Sequence, residues 1–564
     1  MRRRRLGVLA VGLTALAWVG ALSLRTEPVA AQNGRTAPAH LVGGARGLVK
    51  DVTGRPLEGM GVQLISPRTA IRTTVRTNED GRYEFPRLEA GPYVLRIARP
   101  LEHKPYVREG VQIADAVELP DIVLERVTNA ELLPPTPEIE AQLTGVEWML
   151  NLPGTAEEKR LINTQCTHCH TWQQIFRNRY DEASWRIIGR RMLAGGGSPL
   201  INYNRETINN PSPEVKRRED LLVNFLFRVR GPNSVLPALQ VLPPSRGRDN
   251  RVVVTEYELP RELLAPHDVH GDSMGRIWYT AHRSPYNGML DPKTGTVTQY
   301  RIPATRAEDT SDALPGTHRV WVDKNDIVWW SEQWDHFLTG QDARTGKIVT
   351  RLPFLPMYRK NSSGFSNFAM DDESNAYETN DQGELIKVNT KTGDVTRWKF
   401  PKRIQGVYDS TITPDGRYWV GGQGSLMGVW DLKTGEYWEQ ATRNVVSSIS
   451  RGGIDRDGNA WYGGRTGVIV KLDTKAKKLT EYHPPVAYPS FYEVMPDKNG
   501  EIWAAALQAG KYLRFNPKTD QWIAYPMPEP YSHNRRAWID NSTTPITLWY
   551  VDHNGYIASI QPLD

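Results

Sequence analysis

Asp415-Gly416-Arg417-Tyr418-Trp419-Val420-Gly421-Gly422, followed by Asp431-Leu432-Lys433-Thr434-Gly435, is the stretch whose reading decides the fold. An Asp-Gly turn leads into a short strand with a bulky aromatic at its centre, and a second tight turn follows. The same unit recurs along the second half of the chain. Its aromatics are Trp278, Trp329, Tyr377, Trp419, Trp461, Trp503 and Trp549, separated by 51, 48, 42, 42, 42 and 46 residues. The second turn returns as Asp291-Pro-Lys-Thr-Gly295, Asp342-Ala-Arg-Thr-Gly346, Asn389-Thr-Lys-Thr-Gly393, Asp473-Thr-Lys-Ala-Lys477 and Asn516-Pro-Lys-Thr-Asp520. A period of about 40–45 residues with four short strands is a propeller blade, so seven markers predict a seven-bladed β-propeller over residues 250–564. Val252-Val253-Val254-Thr255-Glu256-Tyr257 has the character of an outer strand and is expected to complete the last blade and close the ring.

Upstream lies Cys166-Thr167-His168-Cys169-His170, which contains both cysteines of the 564-residue chain. The C-x-x-C-H spacing predicts one covalent haem c, each thiol adding to a vinyl group and His170 ligating the iron. A zinc site would need a second ligand pair, and a thioredoxin-like pair has no use for His170. Helix-opening signals surround the motif: Thr155-Ala156-Glu157-Glu158, Asp181-Glu182-Ala183-Ser184 and Ser212-Pro213-Glu214. Leu133-Pro134-Pro135-Thr136-Pro137 reads as a linker before them. Residues 138–235 thus resemble a class I, all-α cytochrome c domain. That resemblance places a distal ligand downstream and makes Met192 its candidate, although the interval from His170 is short. The alternative for Met192 is core packing on Trp185, with which it shares a helical face.

At the start, Arg2–Arg5, an apolar run from Leu6 to Leu24 and the small residues Val29-Ala30-Ala31 read as a secretory signal over residues 1–31, with an uncleaved anchor as the alternative. The expected location is the periplasm or another exported compartment. Residues 1–31 hold five Arg and one Glu, so the net charge falls from +6 to near +2 without them. No basic patch argues for nucleic acid. In residues 44–126, alternating runs such as Gly61-Val62-Gln63-Leu64-Ile65 and Tyr93-Val94-Leu95-Arg96-Ile97 are separated by turn signals, which predicts a β-sandwich. The pattern G-L-V-K-D-V-T-G-R-P-L-E-G, T-N-E-D-G-R-Y-E-F and L-E-A-G-P-Y-V-L resembles the carboxypeptidase regulatory-like domain, which implies a sandwich without catalysis of its own.

Pro266-His267 through Gly275-Arg276-Ile277-Trp278-Tyr279-Thr280 to Leu290 resembles the virginiamycin B (streptogramin) lyase propeller family. The resemblance implies a Pro-His on one blade, a Glu-Pro-His on the next and a magnesium ion. Ala265 and Gly316 stand two residues before His267 and His318, so the family's glutamate is missing at both places. His267, His318 and His533 nevertheless sit where innermost strands begin, with His282, Glu332 and Asp552 where second strands end. Topology brings these ends to one mouth of the channel, a setting for a divalent metal or for acid–base work by His267, His318, His533 and Glu332. The plain alternative is unconnected loop residues. Three functions follow: an exported electron-transfer protein whose propeller binds a substrate or redox partner protein, a lyase with an accessory haem domain, or a non-enzymatic binding protein.

Overall fold

A computed structural model describes residues 43–166, 170–195, 212–260, 265–282, 284–303, 316–333, 335–354, 367–379, 383–400, 407–422, 424–443 and 449–564. The expected signal segment, His168 and Cys169 lie outside the described residues. Among those described, no helix is long and apolar enough to cross a membrane.

Seven strands form the N-terminal sandwich: β1 (Arg46–Asp51), β2 (Gly61–Ile65), β3 (Arg72–Arg76), β4 (Arg82–Glu84), β5 (Gly91–Ile97), β6 (Val107–Ile113) and β7 (Ile122–Leu124). One sheet runs β4-β1-β7 and the other β3-β2-β5-β6. Alternation decides which side chains meet between them: Val49, Val62, Leu64, Phe85, Leu95 and Ile122 share one buried core.

The helical region holds α1 (Pro137–Glu140), α2 (Gly145–Asn151), α3 (Ala156–Gln165), α4 (Trp172–Phe176), α5 (Glu182–Gly195) and α6 (Pro213–Arg230). The three starts expected from sequence coincide with α3, α5 and α6. Thr155 and Glu158 form a reciprocal capping box on α3, and Ser212 Oγ accepts the Val215 N–H at the start of α6. Trp148, Met149, Ile162, Trp172, Phe176, Trp185, Val223 and Phe225 make the core. This region docks on the propeller. Gln508 Oε1 accepts the Trp172 N–H at 2.9 Å, and the Trp172 ring meets Tyr488 edge-on at 5.6 Å. Gly145 permits the approach, since a Cβ there would lie 2.4 Å from Gln508 Oε1.

Seven four-stranded blades follow. Their innermost strands are Pro266–Gly271, Thr317–Val322, Ala369–Met370, Val407–Ile412, Ile449–Ile454, Phe491–Pro496 and Asn534–Asp540. The recurring aromatic has a physical reason. Buried indole N–H and phenol groups need an acceptor, and the turn aspartate six residues earlier supplies it: Asp272 to Trp278, Asp323 to Trp329, Asp371 to Tyr377, Asp455 to Trp461 and Asp497 to Trp503, at 2.8–3.0 Å. The seventh blade is closed as expected by β8 (Val252–Glu258), which pairs antiparallel with the strand Tyr556–Pro562. The other edge of β8 pairs with β3, Arg72 facing Glu256 and Thr74 facing Val254. Sandwich and last blade therefore share one eight-stranded sheet, and the blade's outer edge is covered rather than open to other chains.

Candidate functional site

The channel is built by one local irregularity. In six blades the pairing register of the innermost strand jumps between its first residues and its middle, as between Thr317 and Val320 or Ile449 and Gly452. Such a bulge frees consecutive side chains from strict alternation. Both the second and the third residue of the strand then reach toward the axis and bond across it.

The third positions form a ring of charge: Asp268, Arg319, Asn367, Asp409, Arg451, Glu493 and Arg536, taking Asn367 as the equivalent just before the short third-blade strand. Arg451 Nη1 donates to both oxygens of Asp268 at 2.8 and 2.9 Å, and its Nη2 donates to Asn367 Oδ1 at 2.7 Å. Arg319 pairs with Asp409 at 2.9 Å, and Arg536 Nε lies 3.3 Å from Glu493. Arg319, Asp268 and Arg451 are fully buried. Burial pushes the Glu493 carboxyl up to about 7, against the pull of Arg536 and Arg451.

One residue earlier on the same strands stand His267, His318, Tyr408, Ser450, Tyr492 and Arg535. Three imidazoles converge, with ring centres 3.9 Å apart for His267–His318, 5.1 Å for His267–His282 and 5.4 Å for His282–His318. Tyr492 and Tyr408 hydroxyls bond each other, and Tyr492 Oη lies 3.3 Å from His267 Nε2. Arg465 and Arg535 lie over the Tyr492 ring at 4.8 and 4.9 Å. His533 is buried and meets His553 with ring centres 5.3 Å apart. Burial first, then Arg451 and His282, hold His267 well below the usual histidine value; for His533 it is burial, then Arg535 and His553. His318 is lowered as well, by burial, then by His267 and Arg451.

The bonds imply tautomers. Asp268 only accepts, so His267 donates from Nδ1 at 2.7 Å and keeps a lone pair on Nε2. His318 Nδ1 accepts from Arg451 Nη2 at 3.1 Å, which places its proton on Nε2. His282 Nε2 donates to the Gln333 amide oxygen. With these bonds made, His267 and His282 each carry the lone pair on their second nitrogen while His318 carries an N–H, a hydrogen-bonding pocket rather than a tri-histidine cage. Among the described residues, no group of three or more His, Cys, Asp or Glu side chains is disposed to hold a metal ion.

Glu332 requires a correction. Its carboxylate is fully buried, but it turns outward to Thr339 Oγ1 and to Arg351 on the outermost strand of its blade, 2.5 Å from Nη2. A buried carboxylate needs a partner, and the strand alternation gave it one away from the channel. Asp552, also expected at this mouth, is buried and pushed up to about 6 by burial.

His170 of the C-x-x-C-H motif lies near this mouth. Cys166 caps the C-terminal end of α3, its N–H donating to Ile162 O. His170 Nδ1 lies 3.2 Å from Thr171 O, which fixes the proton there and leaves the lone pair on Nε2, the tautomer an iron bond would require. Burial lowers the His170 imidazole, and Arg535 lowers it further; His170 in turn is among the charges that depress His533. Of the motif, Cys166 and His170 are described, and a thiol with an Nε2-ligating imidazole four residues on fits what a covalent haem would take. Met192 lies on α5 with 49 % of its surface exposed, so it is not the core methionine packed on Trp185.

Sequence reasoning missed Arg451, Tyr492, Arg465, Arg535 and the ring. A signal existed: each ring residue stands ten positions before its blade's aromatic marker in the first six blades.

Among curated proteins, no relative matches the chain. Solved structures similar to the propeller include three lyases. Selenomethionine-substituted virginiamycin B lyase from Staphylococcus aureus is 14 % identical with a TM-score of 0.47, over 55 % of this chain and 99 % of that one. A streptogramin B lyase is 15 % identical with a TM-score of 0.48, over 56 % and 99 %. A catalytically inactive form of the Staphylococcus aureus lyase with quinupristin is 14 % identical with a TM-score of 0.47, over 55 % and 99 %. At the N-terminus the assignment rests on sequence: residues 44–125 match the carboxypeptidase regulatory-like domain, and the sandwich belongs to that family.

Proposed function

We propose that this chain is an exported haem c protein whose propeller mouth binds a small polar substrate, or a group on a partner protein, and exchanges electrons with it. One observation carries the reading: His170 of the C-x-x-C-H motif lies within electrostatic reach of His533 and Arg535 at the channel mouth. A separate accessory haem domain has no reason to place its iron ligand there. Bound haem supplies a one-electron couple. The chain's own residues supply the rest. Cys166 and Cys169 anchor the group, and His170 presents Nε2. His267 offers a lone pair for a substrate proton, held in that tautomer by Asp268, which Arg451 clamps. His318 Nε2–H donates to a substrate oxygen. Met192 is the candidate distal ligand, at an exposed position.

The test is expression in a host that matures c-type cytochromes. The purified protein should hold one covalent haem, lost when Cys166 and Cys169 are both replaced by Ala. A screen of small reductants should find one that reduces the haem, and His267→Ala with His318→Ala should abolish that reduction while the haem spectrum stays. Covalent haem surviving in the double cysteine variant removes the basis of the reading.

The His267–Asp268 pair favours a second reading, acid–base elimination without redox. It expects full turnover in the double cysteine variant, whereas the redox reading expects none.

A further inference from the structure

A second cavity, of about 570 Å³, opens where all three regions meet. The sandwich contributes Arg76, Arg99 and His103, the helical region Thr144, and the propeller Lys511. Its charges do not balance. Arg99 is bonded to Glu147, and Arg126 to Glu102 at 2.9 Å. Arg76 finds only backbone carbonyls: Gly59 O at 2.9 Å, Pro526 O at 3.3 Å and Met527 O at 3.4 Å. Among the described residues, Lys511 forms no side-chain hydrogen bond or ion pair; Asp249 and Glu147 act on it only at a distance. Burial and the neighbouring Arg99 bring Arg76 down to about 9, and burial lowers Lys511 too. A cation with a counter-charge in contact would move the other way. His103 is 5 % exposed and lines the same cavity, and its Nδ1 has no hydrogen-bond partner; Arg126 Nε is likewise buried and unpartnered.

We propose that this junction cavity binds a small molecule bearing a phosphate group. Arg76 and Lys511 grip the oxyanion, and His103 and Arg126 offer further donors. A multivalent oxyanion suits the site because it accepts many hydrogen bonds at once and neutralises two cations that the chain leaves uncompensated. The volume exceeds that of a bare phosphate, leaving room for an organic body. Because the walls come from three regions, occupancy would also fasten sandwich, helices and propeller together. The site is independent of the haem and of the channel mouth.

Thermal unfolding of the full chain tests this, with inorganic phosphate, acetate and sodium chloride compared at equal ionic strength. Phosphate should raise Tm in a saturable way that chloride does not reproduce, because a ligand bound only to the folded state stabilises it by mass action. Acetate matching phosphate would overturn the phosphate assignment. Lys511→Met should weaken phosphate binding, measured by calorimetry, at least about tenfold. Arg76→Met removes bonds to the backbone of two regions and is open to misfolding. Lys511 makes no such bonds, so its variant should fold. Unchanged phosphate affinity in Lys511→Met, or identical Tm shifts in phosphate and chloride, overturns the proposal.

Discussion

Two layers of the propeller channel lie one residue apart on the same strands, yet they obey different rules. In the ring of third positions acid and base answer each other: Asp268 with Arg451, Asp409 with Arg319, Glu493 with Arg536. The layer of second positions carries His267, His318, Tyr408, Tyr492 and Arg535, with no such alternation. The ring is the propeller's hub. Seven strands converge there with their side chains out of water, and only paired charge is tolerable. The layer above is largely buried as well, but it holds lone pairs, donors and aromatic faces in place of matched charge. Removing a ring residue should therefore cost stability, and removing a layer residue should cost function first.

Arg451→Met should be the most damaging. It strips Asp268 of both hydrogen bonds from the guanidinium and leaves it the His267 N–H in a fully buried site, and an uncompensated buried charge costs about 3–5 kcal/mol. Chemical denaturation measures it. Arg465→Met, in the upper layer, loses a 2.7 Å bond to Ser450 Oγ and its stacking on Tyr408 and Tyr492, and should cost about 1–2 kcal/mol. Equal losses in the two variants would erase the distinction between the layers.

The upper layer should also show in acid. His267, His318 and His533 are held well below their ordinary value, so the unfolded chain takes up their protons first. Below a pH of about 6.5 each of the three subtracts stability as pH falls, by about 1.4 kcal/mol per pH unit, until its folded pKa is reached; above 6.5 its contribution is whole and constant. Glu256, pushed up to about 8, and Asp552, up to about 6, act oppositely, holding protons in the folded chain that the unfolded chain releases. Whole-protein curves sum both, so the informative quantity is a difference. His267→Gln keeps a donor toward Asp268 and should lose one histidine's share of the acid slope. A slope identical to the parent's would mean that His267 titrates normally.

The contrast between these layers also explains what was legible in the sequence. Blade number, the closing role of Val252–Glu258 and the helix starts at Thr155, Asp181 and Ser212 follow from local spacing and caps, and local rules carry them. The convergence of His267, His282 and His318 followed from topology alone. Glu332 misled because position along a strand does not say which partner a buried carboxylate takes; Arg351, nineteen residues later, decided it. The ring escaped notice because charged residues inside strands read locally as exposed faces. Only closure of seven blades brings Arg451 to Asp268 across 183 residues of sequence.

The smallest expected effect on stability separates structure from function once more, in the helical region. Met149 and Met192 are the two methionines near the haem motif. Met149 is fully buried between Trp148 and the rest of the helical core, whereas Met192 is 49 % exposed. Truncating a buried methionine costs about 2–5 kcal/mol, while an exposed one away from special contacts costs within about 0.5 kcal/mol. Met192→Ala should therefore unfold at the same denaturant concentration as its parent. That makes it a clean probe of ligation, because any change in the haem cannot be blamed on a loosened fold. If Met192 reaches the iron, its loss should lower the reduction potential and abolish the weak ferric absorption near roughly 695 nm expected of a His/Met haem, with the covalent attachment untouched. An unaltered spectrum and potential in a variant of unaltered stability would remove Met192 from the coordination sphere. The proposed coordination would then rest on His170 alone.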